Sequence, residues 1–187
     1  MAVVGIEVPT DERHQFVLPS TNRGMSDDYQ IRKYRGDDAA AIRECIVALQ
    51  DYERQIDPRL RPGSFMAPEY LNQMHTRCRD FSGCIFVLDC AGVVAGFVTV
   101  LTRVPFQELD DPPGDFALIT DLIVLERFRK RGFGRALMAA AERYACDQGA
   151  SELRIGVLSA NQGAKRLYMQ VGFSGHLEIL TKRFESS

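Results

Sequence analysis

Hydrophobic and polar positions along this chain follow two rhythms. Alternation of period two marks strands, and apolar residues three and four apart mark helices. Tyr29 to Arg35 alternates, which predicts a first strand. Gly36-Asp37-Asp38 then supplies a start for a helix that carries Ile42, Cys45, Ile46 and Leu49 on one face. Asp57-Pro58 and Arg61-Pro62-Gly63 interrupt the chain, and Pro68 is expected at the first position of a second helix running to about Arg79. Gly83 closes that segment. Ile85 to Leu88 and Val93 to Leu101 are apolar runs rich in β-branched residues, separated by Asp89-Cys90-Ala91-Gly92, and read as a hairpin in the middle of a sheet.

Residues 107–115, QELDDPPGD, hold four acids, no base and two prolines, so they form a loop rather than a central strand. Phe116 to Leu125 is a nearly continuous apolar strand broken by Thr120 and Asp121. Gly134 to Asp147 places Leu137, Ala141, Tyr144 and Ala145 at helical spacing. Leu153 to Leu158 reads as a strand, and Ala164, Leu167, Tyr168 and Val171 form a further helical stripe. Leu177 to Phe184 is expected as a closing strand, and residues 1–28, ending in PSTNRGMSDD, as an arm ahead of one domain at 29–187. The order β-α-α-β-β-β-α-β-α-β mixes hairpins with βα crossovers. It implies an α/β fold with a mixed, mostly antiparallel sheet of six to seven strands, flanked by about four helices.

Composition narrows the class. The 187 residues are 45% hydrophobic and 26% charged, which fills one core and excludes wholesale disorder. With 23 basic and 25 acidic side chains the formal charge is −2, so nothing in the whole-molecule charge favours nucleic acid. Ile85 to Leu101, the longest apolar stretch, is too short and too interrupted to span a bilayer. The first residues have no basic and apolar export pattern, and the cytoplasm is the expected compartment. Five cysteines without a C-x-x-C pair, and three scattered histidines, fit neither a disulfide framework nor a metal site. No metal is expected.

The sharpest departure from an ordinary surface is Glu126 to Arg135, ERFRKRGFGR. It holds five bases (Arg127, Arg129, Lys130, Arg131, Arg135) and one acid between a buried strand and a helix. Backbone N–H groups at a helix start, together with the helix dipole and flanking cations, make a phosphate cradle. Gly132 and Gly134 allow close backbone approach. A P-loop is excluded because no G-K-[ST] follows. A dinucleotide fingerprint lacks its third glycine, at Leu137, and its ribose acid near Leu158.

Arg129, Gly132 and Gly134 spell R-x-x-G-x-G. With the strand ITDLIVL, the helix RALMAAAERYA, the strand ELRIGVL and N-x-x-A-x-x-L-Y-x-x-x-G-F (Asn161, Ala164, Leu167, Tyr168, Gly172, Phe173), the segment resembles the acetyl-CoA half of the GNAT superfamily of N-acetyltransferases. The resemblance covers roughly residues 29–184. It implies a splay between the fourth and fifth strands, with the pantetheine arm of acetyl-CoA pairing with the main chain of Leu122, Ile123 and Val124. It implies pyrophosphate held by Arg129, Lys130, Arg131, Gly132, Phe133, Gly134 and Arg135, and Asn161 bonding the pantetheine or the edge of the fifth strand. Tyr168 would contact the cofactor and protonate the departing thiolate.

Many family members carry a glutamate where this chain has Thr120, which cannot act as a base. Asp121 is the neighbouring candidate, although plain alternation sends its side chain to the face opposite Thr120. Glu108, Asp110, Asp111 and Asp115 precede the strand, and Asp51, Glu53 and Asp57 end the first helix. These acids favour a cationic small-molecule or peptide amine as acceptor. The resemblance thus implies acetyl transfer from acetyl-CoA to a primary amine by direct attack, in a family where homodimers are common. The competing reading is a CoA-binding sensor with little turnover, motivated by Thr120.

Overall fold

The computed structural model describes residues 28–106, 110 and 112–184. Residues 1–27 of the expected arm at 1–28, with Glu108 and Asp111, lie outside the described residues. Five strands pair in the order of the chain: β1 (Tyr29–Lys33), β2 (Cys84–Cys90), β3 (Val93–Pro105), β4 (Asp115–Val124) and β5 (Leu153–Ile155). The first three pairings are antiparallel and β4–β5 is parallel. Four helices accompany them: α1 (Ala39–Ile56), α2 (Gly63–Asp80), α3 (Phe133–Asp147) and α4 (Gln162–Gln170). No described helix is long and apolar enough to cross a membrane.

Strand alternation sorts the core into two layers. Phe86 and Leu88 of β2, with Val98 and Val100 of β3, pack against Phe133, Leu137, Ala141 and Ala145 of α3. Ile85, Val87 and Phe97 face the other way, onto Ile42, Cys45 and Ile46 of α1 and Ala67, Leu71 and Met74 of α2. The hairpin turns on Ala91 and Gly92, both left-handed at φ 51° and 83°, and Asp89 Oδ1 accepts from Gly92 N at 2.8 Å. Gly96 permits a close approach, since a Cβ there would lie 2.2 Å from the Ile123 carbonyl oxygen on β4.

Several expectations are corrected. α2 begins at Gly63, not at Pro68, because Asp51 Oδ1 of α1 accepts from Gly63 N at 2.9 Å and a missing Cβ lets Gly63 lie against Val47. Proline therefore sits inside the helix, in its second turn. Asp38 does not cap α1 with its side chain. Its carboxylate is buried against Arg32, at 2.7 and 2.8 Å, and accepts from Arg35 N at 2.7 Å. A 3₁₀ turn at Gly36–Asp38 leads into α1 instead.

β5 stops at Ile155 rather than Leu158, and residues 177–184 form no strand, so the described sheet has five strands, not six to seven. The alternation in Leu177, Ile179 and neighbouring residues has no adjacent strand to pair with. Leu177, Ile179, Leu180 and Phe184 are exposed.

Candidate active site

The site begins with a fault in β4. Thr99 of β3 lies opposite Asp121 and Val100 opposite Ile119, which leaves Thr120 as the extra residue of a β-bulge. A bulge reverses the sense of alternation. Before it, Ala117 N donates to Glu152 O at 2.8 Å, on the β5 side. Beyond it, Ile123 presents its carbonyl toward Gly96 of β3, and Leu125 N donates to Ala95 O at 2.9 Å. The intervening Leu122 and Val124 therefore turn their main-chain groups outward, toward β5.

Among the described residues no strand meets them there. The β4–β5 ladder ends at Ile119 with Ile155, while β4 runs on to Val124. The divergence opens a cleft of about 610 Å³ between β4, α1, α3, α4 and the loop before α3. That volume suits a small-molecule site. Leu122, Ile123 and Val124 line it as expected, but only the first and third offer main-chain edges to it. Arg129 Nε takes the Val124 carbonyl at 2.9 Å, leaving the N–H and C=O of Leu122 and the amide of Val124.

The far end of the cleft is the glycine bend. Gly132 is left-handed, at φ 82°, and ends the loop as the residue before α3 without any side chain to cap it. α3 has no acid in its first turn, and its first intrahelical bond is Ala136 N to Gly132 O at 3.1 Å. The preceding amides, at Phe133, Gly134 and Arg135, have no intrahelical acceptor and sit at the positive end of the helix. A Cβ on Gly134 would lie 3.1 Å from Leu167 Cδ2 of α4, so any larger residue would press on the Leu167 side chain at this wall.

Arg129, Lys130, Gly132, Phe133, Gly134 and Arg135 all line the cleft. Arg131 does not, and its guanidinium stands 5.9 Å from the Phe128 ring centre. Arg129 also covers the Tyr52 ring at 5.2 Å, and Tyr52 Oη lies 3.4 Å from Asn161 Oδ1. Asn161 caps α4 by accepting from Ala164 N at 3.1 Å, which fixes its amide at the cleft wall.

Tyr168, Thr120 and Asp121 also line the cleft, together with Glu53, which in the sequence is one acid of a general acidic surface. The bulge lets Thr120 and Asp121 reach the same cleft, against the expectation of opposite faces. Thr120 Oγ1 donates to Asp121 Oδ2 at 2.6 Å and Tyr70 Oη to Oδ1 at 2.7 Å. Burial pushes the Asp121 carboxyl up from the usual range, while the bonds from Thr120 and Tyr70 oppose that shift. Burial also raises the Tyr168 phenol to about 12, with the Glu53 charge adding to it.

Tyr70 and Tyr52 were absent from the sequence reading. They sit on α1 and α2, where no motif marks them.

Residues 46–173 match the acetyltransferase (GNAT) family. The chain belongs to the GNAT family. An uncharacterized N-acetyltransferase, YycN, of Bacillus subtilis (strain 168) is 31% identical over 71 residues, which cover 38% of this chain and 46% of that one. The matched segment thus spans about half the length of that relative. Among solved structures, a GCN5-related N-acetyltransferase from Ralstonia eutropha superposes with a TM-score of 0.64 at 19% identity, covering 83% of this chain and 98% of the other. The aminoglycoside acetyltransferase AAC(6')-Iy, in complex with a CoA-linked bisubstrate analogue, gives a TM-score of 0.62 at 18% identity, covering 84% and 99%. At such identities the structural likeness concerns the fold. A GNAT fold accounts for the mixed sheet with its parallel β4–β5 pair.

Proposed function

We propose that this protein transfers an acetyl group from acetyl-CoA to a primary amine by direct attack. The observation that carries the reading is one cleft lined together by an unpaired strand edge, an uncapped glycine bend and a half-buried phenol. The residues present suit the cofactor. Leu122 and Val124 supply main-chain partners for an amide-bearing arm, and the amides of Phe133 to Arg135 with Lys130 supply a seat for a diphosphate. Family relatives support the assignment, one of them solved with a CoA-containing ligand. Acetyl-CoA brings an activated thioester carbonyl.

The chain does the rest. The outward N–H of Leu122 donates to the carbonyl oxygen as negative charge grows on it. Tyr168, protonated throughout the physiological range, delivers its proton to the departing sulfur, whose thiol pKa is about 8.5 by analogy with cysteine. Asp121, with Thr120 and Tyr70, forms an acidic wall where the amine enters, and its carboxylate favours a cationic acceptor. Acceptors of this chemical class are acetylated by relatives named as aminoglycoside acetyltransferases.

A panel of amines mixed with acetyl-CoA, with free thiol and product mass both followed, tests the reading. Thiol release coupled to a product heavier by one acetyl group supports it. Binding of acetyl-CoA with no release for any amine would favour the sensor, the reading that Thr120 motivates.

A further inference from the structure

α1 turns an apolar stripe toward the sheet through Ile42, Cys45, Ile46 and Leu49. The next position of the same stripe, four residues on, is Glu53. A carboxylate at an apolar slot is costly unless it is used or paired. Glu53 is half-buried and lines both the main cleft and a side cavity of about 70 Å³ shared with Tyr70, Thr120 and Asp121.

The other acids of this region are engaged. Asp51 holds the first amide of α2, Asp57 binds Arg59, and Asp115 faces Arg103 at 3.8 Å. Asp121 has both oxygens bonded, to Tyr70 and Thr120. Among the described residues, no hydrogen bond or ion pair holds the Glu53 carboxylate. The ionisable groups that interact with it are Asp121 of β4, Tyr70 of α2 and Tyr168 of α4, while Arg77 of α2 acts on Tyr70 and Asp121.

We propose that Glu53 is the proton acceptor for the amine, lining the same cleft as Tyr168 and supplying from α1 the base that Thr120 does not. The proposal rests on the acetyltransferase reading. Glu53 first passes the ammonium proton to solvent. The neutral nitrogen then forms its bond to the thioester carbon as the carbon–sulfur bond breaks, with that bond's electron pair staying on sulfur. The second nitrogen proton goes to the Glu53 carboxylate, and the sulfur takes the Tyr168 proton. Solvent returns Tyr168 to the phenol and removes the proton from Glu53.

Two electrostatic features support this assignment. Burial, then the Asp121 charge, raises the Glu53 pKa toward the working pH, which suits a base. The Glu53 charge also helps hold the Tyr168 pKa up. Neutralising Glu53 therefore makes Tyr168 a stronger acid at the moment the thiolate departs.

The test compares the full chain with its Glu53→Gln and Glu53→Asp variants, using the best amine from the panel. Glu53→Gln should bind acetyl-CoA in calorimetry as the wild type does. Its kcat should fall by about 10²- to 10⁴-fold. The remaining rate should climb as pH approaches the amine pKa of about 10, where free amine no longer needs a base. Glu53→Asp, which keeps the charge, should retain more rate than Glu53→Gln.

A second readout needs no cofactor. A group whose pKa is raised by folding contributes fully below its ordinary value and loses that contribution as pH rises through the folded value. Glu53→Gln should therefore melt above wild type at about pH 7.5 and level with it at about pH 4. An active wild type with an equally active Glu53→Gln variant would overturn the inference and leave acetyl transfer standing. Equal losses in the Gln and Asp variants would make Glu53 a packing residue and overturn it too. A wild type that binds acetyl-CoA but acetylates no amine would overturn both readings.

Discussion

Tyr168 lines the cleft from α4, with its ring 6.2 Å from that of Phe173. Replacing it with phenylalanine keeps the ring and removes the hydroxyl that would donate the proton. Tyr168→Phe is expected to lower kcat by about 10²- to 10⁴-fold while acetyl-CoA affinity, read by calorimetry, stays near wild type. Tyr70→Phe removes a donor from the buried Asp121 carboxylate and should cost about 1–3 kcal/mol in urea unfolding, since an acceptor is left without its partner. Tyr168 was legible in the sequence because L-Y-x-x-x-G-F marks it. Glu53 was not, because a glutamate late in a helix reads as a solvated face until the stripe of α1 is seen to aim it inward. Asp121 was misplaced by strict alternation, and nothing in ITDLIVL signals that a residue is to be left over.

Elements carry the binding geometry. The glycine bend works through two different demands, a left-handed backbone at Gly132 and a missing side chain at Gly134. Gly132→Ala should cost about 1–2 kcal/mol of stability from its positive φ, with open space around the added methyl. Gly134→Asp places both bulk and negative charge beside the helix amides. It should weaken acetyl-CoA binding at least about tenfold in calorimetry, and full retention of affinity would count against the bend as the diphosphate seat. The loop, α3 and the hairpin were readable from local pattern, because turn chemistry and helical spacing act within a few residues. The short β5 was not. Its apolar run continues past Ile155, but the bulge steers β4 away, and pairing depends on that distant strand. The start of α2 was also missed, since the partner that satisfies its first amide, Asp51, lies in another helix.

At the scale of the whole molecule, two helical layers clamp a sheet whose far edge is tied by a buried ion cluster. Arg32 of β1 binds Asp38 through both its oxygens and Asp89 of β2 at 3.0 Å. Arg32→Met would strand two buried carboxylates and should cost about 3–5 kcal/mol in urea unfolding. The bond from Arg32 holds the Asp38 carboxyl below its usual range. That contribution is complete above the ordinary carboxylate pKa and is lost as pH falls through the lowered one, so the wild-type advantage over Arg32→Met should shrink in acid. The α/β class and the mixed sheet followed from element order alone. The closing strand did not form among the described residues, because an alternating run specifies a face and leaves the neighbour unspecified.

On the proposed function, the gap between β4 and β5 and the start of α3 form one seat for coenzyme A. Hydrogen–deuterium exchange of the full chain, with and without acetyl-CoA, tests it most directly. The account predicts slowed exchange at Leu122 and Val124 and at Phe133 to Arg135 when the cofactor is present, with little change in the β1–β2 ladder. Saturating cofactor that leaves those five amides exchanging as before, or that protects a different face of the sheet, would contradict it.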